Sequence, residues 1–349
     1  MRENPSLPLS KSPTLFIVSS GRSGTTLLIS ILNASQQIHI PYESDFIARA
    51  YPFYQQKQNF GDSDYQKLTK LFIKASQPQG WGMTESFLLS YLKQSKPQSF
   101  AEVNSAICAA YHGKEGTENG LWGIKAPVLI ASINRILSVY PSAKILHIVR
   151  DGRDVCLSYQ NIHAKSQIKF GPKSLLANAL YWIDGLRRIE DARSQQIYEF
   201  RYEDLLKNPK VELDKICSFI GIEYDESMAL NYYKTEKNSK IDKVQPRPAL
   251  SGRGTVDSNR LLENIHSKVK QGIDSSNTKK YLTAMPKFNR FVFELIAAPY
   301  LQKYNYCLEF PFLNTFLLSP LRNSVYFGAR QMNNWRYSKR DRLFYSLTD

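Results

Sequence analysis

The stretch LFIVSSGRSGTTLL, residues 15–28, decides the fold of this chain. Its first four residues form an apolar run typical of a strand that is buried on both faces. The segment that follows is rich in serine and glycine, and from Thr25 onward the apolar residues recur at helical spacing. The stretch therefore predicts a strand, a tight loop and a helix in direct succession.

The loop in this unit is suited to holding an anion. Its glycines let the backbone turn tightly, and the N–H groups at the start of the helix, with the helix dipole, attract negative charge. The hydroxyls of Ser23, Thr25 and Thr26 add donors. Against the triphosphate-binding pattern G-x-x-x-x-G-K-[ST], Ser19 replaces the first glycine and Thr25 the lysine. Arg22 supplies a cation from within the loop instead, so the sequence predicts an anion site without the triphosphate-bridging lysine.

Apolar runs alternate with helical patterns along the rest of the chain, which predicts an α/β fold: a single-domain, P-loop-like parallel sheet with helices on both faces. We expect a flexible tail at residues 1–13, the catalytic domain at 14–311 and a basic, aromatic extension at 312–349. Further predicted strands lie at residues 38–40, 121–125, 144–149 and 196–200. Predicted helices lie at 174–194, 211–220 and 288–304, with a mostly helical region at 46–112 that breaks near 78–80.

A second anion site is predicted in IVRDGRDVCLSY, residues 148–159, where a strand ends at Arg150 and a helix follows. An arginine at the carboxyl end of a parallel strand and Ser158 on the next helix can converge on one phosphate. The alternative is that Arg150 forms ion pairs with Asp151 or Asp154, while Ser158 is merely exposed.

The composition of the chain favours some kinds of partner and cellular location and excludes others. The chain has 349 residues, 42% of them hydrophobic, and 46 Lys and Arg against 31 Asp and Glu give a net charge of +15. This excess favours an anionic partner, but with no zinc finger or basic zipper we expect no specific nucleic acid. The four cysteines are scattered, which excludes a disulfide scaffold and fits a reducing compartment. No apolar stretch suits a signal peptide or a membrane span, so a cytoplasmic location is expected.

Three motifs in this order, SSGRSGTTLL (19–28), IVRDGRDVCLSY (148–159) and FRYEDLLKNP (200–209), resemble the sulfotransferases that use 3′-phosphoadenosine 5′-phosphosulfate (PAPS). The likeness extends over roughly residues 14–306 and is strongest to the bacterial branch with a GxPRSGTT-type loop. It implies PAPS as cofactor, 3′-phosphoadenosine 5′-phosphate (PAP) as its product, and no metal requirement.

The resemblance also assigns binding residues. It implies that Arg150 and Ser158 hold the 3′-phosphate and that Tyr202 lies near the adenine, with a buried structural tyrosine as the alternative. Arg253, in a basic loop at residues 234–260, resembles a late S-x-G-R element and would lie near the 3′-phosphate; the alternative is a mobile loop. The residues implied for the 5′-phosphosulfate are Arg22, Ser23, Gly24, Thr25 and Thr26.

Glu43, Lys125 and Arg22 are the candidate catalytic residues. Glu43 lies in a P-x-E-S segment whose glutamate is the proposed base in related enzymes; Asp45 is the competing acid, and a capping or solvated acid is the alternative. Lys125, in WGIKAP, resembles the WGxKTP segment and would neutralise charge on the transferring group. Ile124 and Ala126 replace the acid and threonine common there, which leaves hydroxyl contacts in doubt, and a surface lysine is the alternative.

The expected activity is in-line transfer of a sulfuryl group from PAPS to an acceptor hydroxyl or amine, with a glutamate base. The alternatives are a small-molecule kinase and an inactive nucleotide- or polyanion-binding module. The acceptor class stays open among glycans, lipids, small molecules and peptides. In residues 319–349, arginines and lysines are interleaved with aromatic residues. This pattern favours an arm packed on the domain, with peripheral contact to an anionic membrane as the alternative.

Overall fold

Five parallel strands form one sheet in the part of the chain that the structure describes, in the order β2-β3-β1-β4-β5. This structure is a computed structural model, and it describes residues 13–232 and 273–346, apart from 42, 77–80, 118, 166–170, 193 and 274. The strands are β1 (Leu15–Val18), β2 (Ile38–His39), β3 (Leu121–Lys125), β4 (Lys144–Val149) and β5 (Ile197–Arg201). The predicted parallel α/β fold is therefore confirmed.

The central strand β1 is covered on both faces, which explains its uninterrupted apolar run. All four of its residues are fully buried. Phe16 and Val18 belong to one hydrophobic cluster and Leu15 and Ile17 to another, because successive side chains of a strand point to opposite faces of the sheet. A sheet with helices on both sides needs apolar residues at every position of its central strand.

Helices on both faces of the sheet agree with the predicted alternation. In the described part of region 46–112, which was predicted as mostly helical, there are four helices or parts of helices. The predicted break near 78–80 lies outside the described residues. The helices are α1 (Thr25–Leu32), α2 (Phe46–Tyr54), α3 (Asp62–Ala75), α4 (Glu85–Ser95), α5 (Phe100–Glu115), α6 (Ile133–Val139), α7 (Gly152–Lys165), α8 (Leu175–Ala192), α9 (Tyr202–Lys207), α10 (Pro209–Ile220), α11 (Glu226–Asn231), α12 (Tyr281–Ala284), α13 (Lys287–Lys303) and α14 (Ser319–Ser346).

The carboxyl ends of β1, β3 and β4 lie next to one another at one edge of the sheet. Ile17 of β1 is in register with Lys125, the last residue of β3, and Val18 with His147 of β4. Because the strands are parallel, the residues that follow each of them emerge on the same side. The loop after β1, Lys125 at the end of β3 and Arg150 after β4 are brought together in this way.

The long C-terminal helix α14 packs against α2 and α8. Arg135 donates to Asp341 at 2.8 Å, and the rings of Phe53 and Tyr345 stack with centroids 4.1 Å apart. Arg330 pairs with Asp184 of α8. For residues 319–346 the structure thus shows the packed arm that the sequence favours.

Candidate active site

The loop between β1 and α1 has an unusual backbone. Gly21, Arg22 and Gly24 adopt left-handed conformations with φ of 76°, 53° and 92°. Turns of this kind direct successive N–H groups toward one point and so form a concave anion site. Among the described residues, no side chain caps the start of α1. Its first N–H groups therefore have no side-chain acceptor at the cap, which is the arrangement that the predicted anion site requires.

The three hydroxyls of the loop have different surroundings. Ser23 is fully buried, and its Oγ donates to the carbonyl of Gly21 at 3.0 Å. The proton of this hydroxyl is therefore used inside the loop. Thr25 is buried as well, whereas Thr26 is partly exposed and its Oγ1 lies 3.4 Å from Nζ of Lys125. The hydroxyl of Thr26 thus contacts Lys125, one of the catalytic candidates.

Two arginines and a serine meet where β4 ends. Nε of Arg22 donates to Oγ of Ser158 at 3.1 Å, and a terminal nitrogen of Arg150 donates to the Arg22 carbonyl at 3.0 Å. The other terminal nitrogen of Arg150 donates to the carbonyl of Asn277 at 2.6 Å. The side chain of Arg22 thus lies with the pair expected at the 3′-phosphate, although the resemblance implies a place at the 5′ end.

The carboxylates beside Arg150 have other partners, contrary to the alternative of an Arg150 ion pair. Asp151 pairs with Arg153 at 2.7 Å. Asp154 accepts from the backbone N–H of Tyr281 at 2.9 Å. Burial raises the pKa of Asp154, and the nearby charge of Arg150 offsets part of that rise. Arg150 itself donates to two backbone carbonyls rather than to either of these carboxylates.

Glu43 and Lys125 form an ion pair beside Thr26. The Lys125 side chain is only 1% exposed, so the alternative of a surface lysine is wrong. A lysine this deeply buried needs an anionic partner, and Glu43 supplies one. The competing acid Asp45 is occupied by Arg49 at 2.8 Å. Glu43 is therefore the carboxylate that the fold directs toward the loop, while Asp45 stabilises the start of α2.

With this geometry in place, comparison with known proteins identifies the family. A family model described as the sulfotransferase family matches residues 13–226, more than half of the chain. The chain belongs to the sulfotransferase family. The matched range contains the loop between β1 and α1 and also Glu43, Lys125, Arg150, Ser158 and Tyr202.

Individual relatives are distant. An uncharacterized protein of Aquifex aeolicus is 24% identical over 84% of this chain and 34% of its own length. Sulfotransferase 1C2 of Rattus norvegicus is 25% identical over 38% of this chain and 47% of its own length. The chain thus spans about a third to a half of these curated relatives. The sulfotransferase domain from the Synechococcus PCC 7002 olefin synthase superposes with a TM-score of 0.54 at 19% identity, covering 87% of this chain and 98% of that one. This last likeness supports the fold.

Tyr202 supports the site from below. It is 6% exposed, and its ring lies under the guanidinium of Arg150, 4.8 Å from centroid to carbon. A Cβ added to Gly24 would lie 2.5 Å from that ring, so only glycine allows the loop to rest on it. The buried structural tyrosine described as an alternative is what the structure shows, and contact with adenine stays a prediction. Arg253 lies outside the described residues.

Sequence reasoning missed two residues that contribute to this candidate site. Tyr159, buried next to Ser158 on α7, donates its hydroxyl to the carbonyl of Ser20 at 3.3 Å and packs against Gly21. Burial raises the pKa of this hydroxyl well above its usual value, so it remains a donor. Its position at the end of the LSY motif was the available signal. Asn277, whose carbonyl accepts from Arg150, is 127 residues away along the chain, and no sequence pattern pointed to it.

Gly21 offers a direct test of the loop geometry. Gly21→Ala should lower the free energy of unfolding by at least about 1–2 kcal/mol, because a side chain disfavours the left-handed backbone and the new Cβ would collide with the Tyr159 hydroxyl. Urea denaturation measures the change. Gly328→Ala is the matched control, since no atom lies within 4 Å of the Cβ it would add. A Gly21→Ala variant as stable as the Gly328→Ala variant would contradict the proposed strain.

Proposed function

We propose that this sulfotransferase transfers the sulfuryl group of PAPS to an acceptor hydroxyl or amine, with Glu43 as the base. The observation that carries the proposal is that two groups of polar residues contact the loop between β1 and α1 at different points. Lys125 and Glu43 lie at Thr26, whereas Arg150 and Ser158 lie at Arg22. Two separate cationic groups suit a nucleotide with phosphates at its 3′ and 5′ positions. A triphosphate instead needs one contiguous cradle and metal ligands.

Some hydrogen-bond donors of the site have no partner within the described part of the protein, and a bound nucleotide could supply the acceptors. Nε of Arg150 is buried and has no hydrogen-bond partner among the described residues. A buried guanidinium nitrogen without an acceptor is costly, and a phosphate oxygen would satisfy it with a charged hydrogen bond. The left-handed loop and the uncapped start of α1 offer N–H donors to a second anionic group.

The geometry divides the chemical work between Glu43 and its neighbours. When bound, PAPS supplies an activated sulfuryl group. Glu43 accepts the proton of the acceptor hydroxyl while the bond from the acceptor oxygen to sulfur forms and the bond from sulfur to the 5′-phosphate oxygen breaks. Lys125, shared between Glu43 and Thr26, stabilises the negative charge that develops on the leaving oxygen. The neighbouring loop N–H groups add to this stabilisation.

Calorimetry tests the nucleotide assignment. The full chain should bind PAP without Mg²⁺ and more tightly than it binds Mg-ATP, because the loop lacks the triphosphate lysine. Arg150→Ala should weaken PAP binding about 10- to 150-fold and Ser158→Ala about fivefold, as expected for charged and neutral hydrogen bonds. Lys210→Ala is the control, because Lys210 is exposed and far from the loop in sequence. It should leave PAP binding unchanged.

Two results would overturn the proposal. Mg-ATP binding equal to or tighter than PAP binding would favour a kinase. Tight PAP binding with no turnover of radiolabelled PAPS on a panel of glycans, lipids, phenols and peptides would favour the inactive binding module. Transfer to one acceptor class in this panel would establish the activity and identify the substrate.

A further inference from the structure

The outward side of α14 is an uncovered apolar line. Leu321, Met332, Trp335 and Leu343 are between 45% and 63% exposed. At 3.6 residues per turn these four positions fall within about 80° around the helix axis. Helix α14 has 28 residues, so the line extends along a helix roughly 42 Å long. We call it the outer face of α14.

Two more exposed apolar residues lie just before the start of the helix. Phe316 and Leu317, in the short turn before α14, are each 87% exposed, the highest values among the large hydrophobic residues that the structure describes. Side chains this exposed bury almost no apolar area against the protein's own core. A row of large, exposed apolar side chains of this kind marks a site of interaction.

The charges of the outer face have one sign. Lys339 projects along the apolar line, and Arg336 and Arg342 lie about 60° to either side of it by helical geometry; all three are exposed. The single acidic residue of α14, Asp341, is buried and paired with Arg135. The outer face therefore combines apolar side chains with cations and presents no carboxylate.

The opposite side of α14 is already used by the domain. Arg330 and Asn333 bind Asp184, the latter at 2.9 Å, and Phe344 is buried beneath the Arg49 guanidinium at 4.9 Å from its ring centroid. These contacts hold the helix in place and fix which side faces outward. No helix among the described residues is long and apolar enough to cross a membrane.

We propose that the outer face of α14, with Phe316 and Leu317, docks on the surface of an anionic lipid bilayer. Cations on such a helix contact anionic headgroups, tryptophan favours the interface, and leucine and phenylalanine enter the acyl region. A second copy of the chain fits less well, because pairing two outer faces would set cations against cations with no carboxylate to offset them.

Vesicle sedimentation of the full chain tests this docking. The protein should sediment with vesicles of 70% phosphatidylcholine and 30% phosphatidylserine, and remain in solution with pure phosphatidylcholine vesicles. Combined Arg336→Gln, Lys339→Gln and Arg342→Gln should weaken partitioning about 100-fold. Leu317→Ser with Trp335→Ser should also release the protein, because these side chains supply the apolar contact.

A matched variant distinguishes the effect of the outer face of α14 on vesicle binding from the effect of the protein's net charge. Lys207→Gln, Lys210→Gln and Lys215→Gln remove the same charge from α9 and α10 and should sediment like the unchanged protein. Urea denaturation verifies that every variant is folded. Equal binding by the α14 and control variants would overturn the proposal. So would a concentration-dependent dimer that uses the outer face without any binding to vesicles.

Discussion

Replacing Glu43 by glutamine should lower kcat about 10²- to 10⁴-fold, the usual contribution of a positioned general base. The amide oxygen can still accept from Lys125, so the buried ammonium keeps a polar partner. PAP affinity should remain within about threefold, because a base acts in the transition state rather than in nucleotide binding. Steady-state kinetics with the acceptor found in the panel, together with PAP calorimetry, measure the two effects separately.

The neighbouring acid provides the control for this prediction. Asp45→Asn breaks the ion pair with Arg49 but leaves the Glu43 carboxylate in place. It should lower stability and have little effect on kcat. A Glu43→Gln variant with full activity would remove Glu43 from the mechanism. A large loss of kcat in Asp45→Asn at unchanged stability would transfer the role to Asp45.

Arg153→Met should cost about 3–5 kcal/mol of folding free energy, the range found when one partner of a buried ion pair is removed. Arg153 lies between Asp151 at 2.7 Å and Glu294 at 2.6 Å, and all three side chains are almost completely buried. Methionine fills much of the volume but leaves two carboxylates without a cation. Urea denaturation measures the loss.

Two further variants decide what causes that loss. Lys210→Met disrupts an exposed pair with Glu226, and solvent screening predicts no measurable change in the free energy of unfolding. Glu294→Gln added to Arg153→Met should restore part of the lost stability, because it removes one uncompensated charge. If the double variant is less stable than Arg153→Met alone, lost packing rather than buried charge explains the effect.

The sequence predicted those parts of the site that depend on short stretches of chain. The apolar run of β1, the glycine loop and the arginine after β4 each follow a local pattern, and parallel strands then place their carboxyl ends together. Arg150 and Ser158 could be identified in this way, whereas Glu43 and Lys125 were named through the resemblance of their segments to sulfotransferase motifs.

Other parts of the site depend on contacts between distant segments. The direction of the Arg22 side chain follows from a left-handed backbone and from Ser158, which is 136 residues away. The support of Gly21 by Tyr159 arises only when α7 packs beneath the loop. The burial of Lys125 likewise depends on the assembled sheet. No local pattern encodes these contacts, so sequence reasoning identified the residues but not how they are arranged.

The docking of α14 on α2 also has a consequence for the order of folding. Arg135 and Asp341 are 206 residues apart, and closing a loop of that length carries an entropic cost of about 5 kcal/mol. We therefore expect contacts this distant to form late, after the local helices and the central sheet. Helix α2 begins at Phe46, three residues after Glu43, so we expect the segment that carries the proposed base to acquire its final packing in the last steps. Native-state hydrogen exchange should show α2 and α14 opening together, below the threshold for global unfolding.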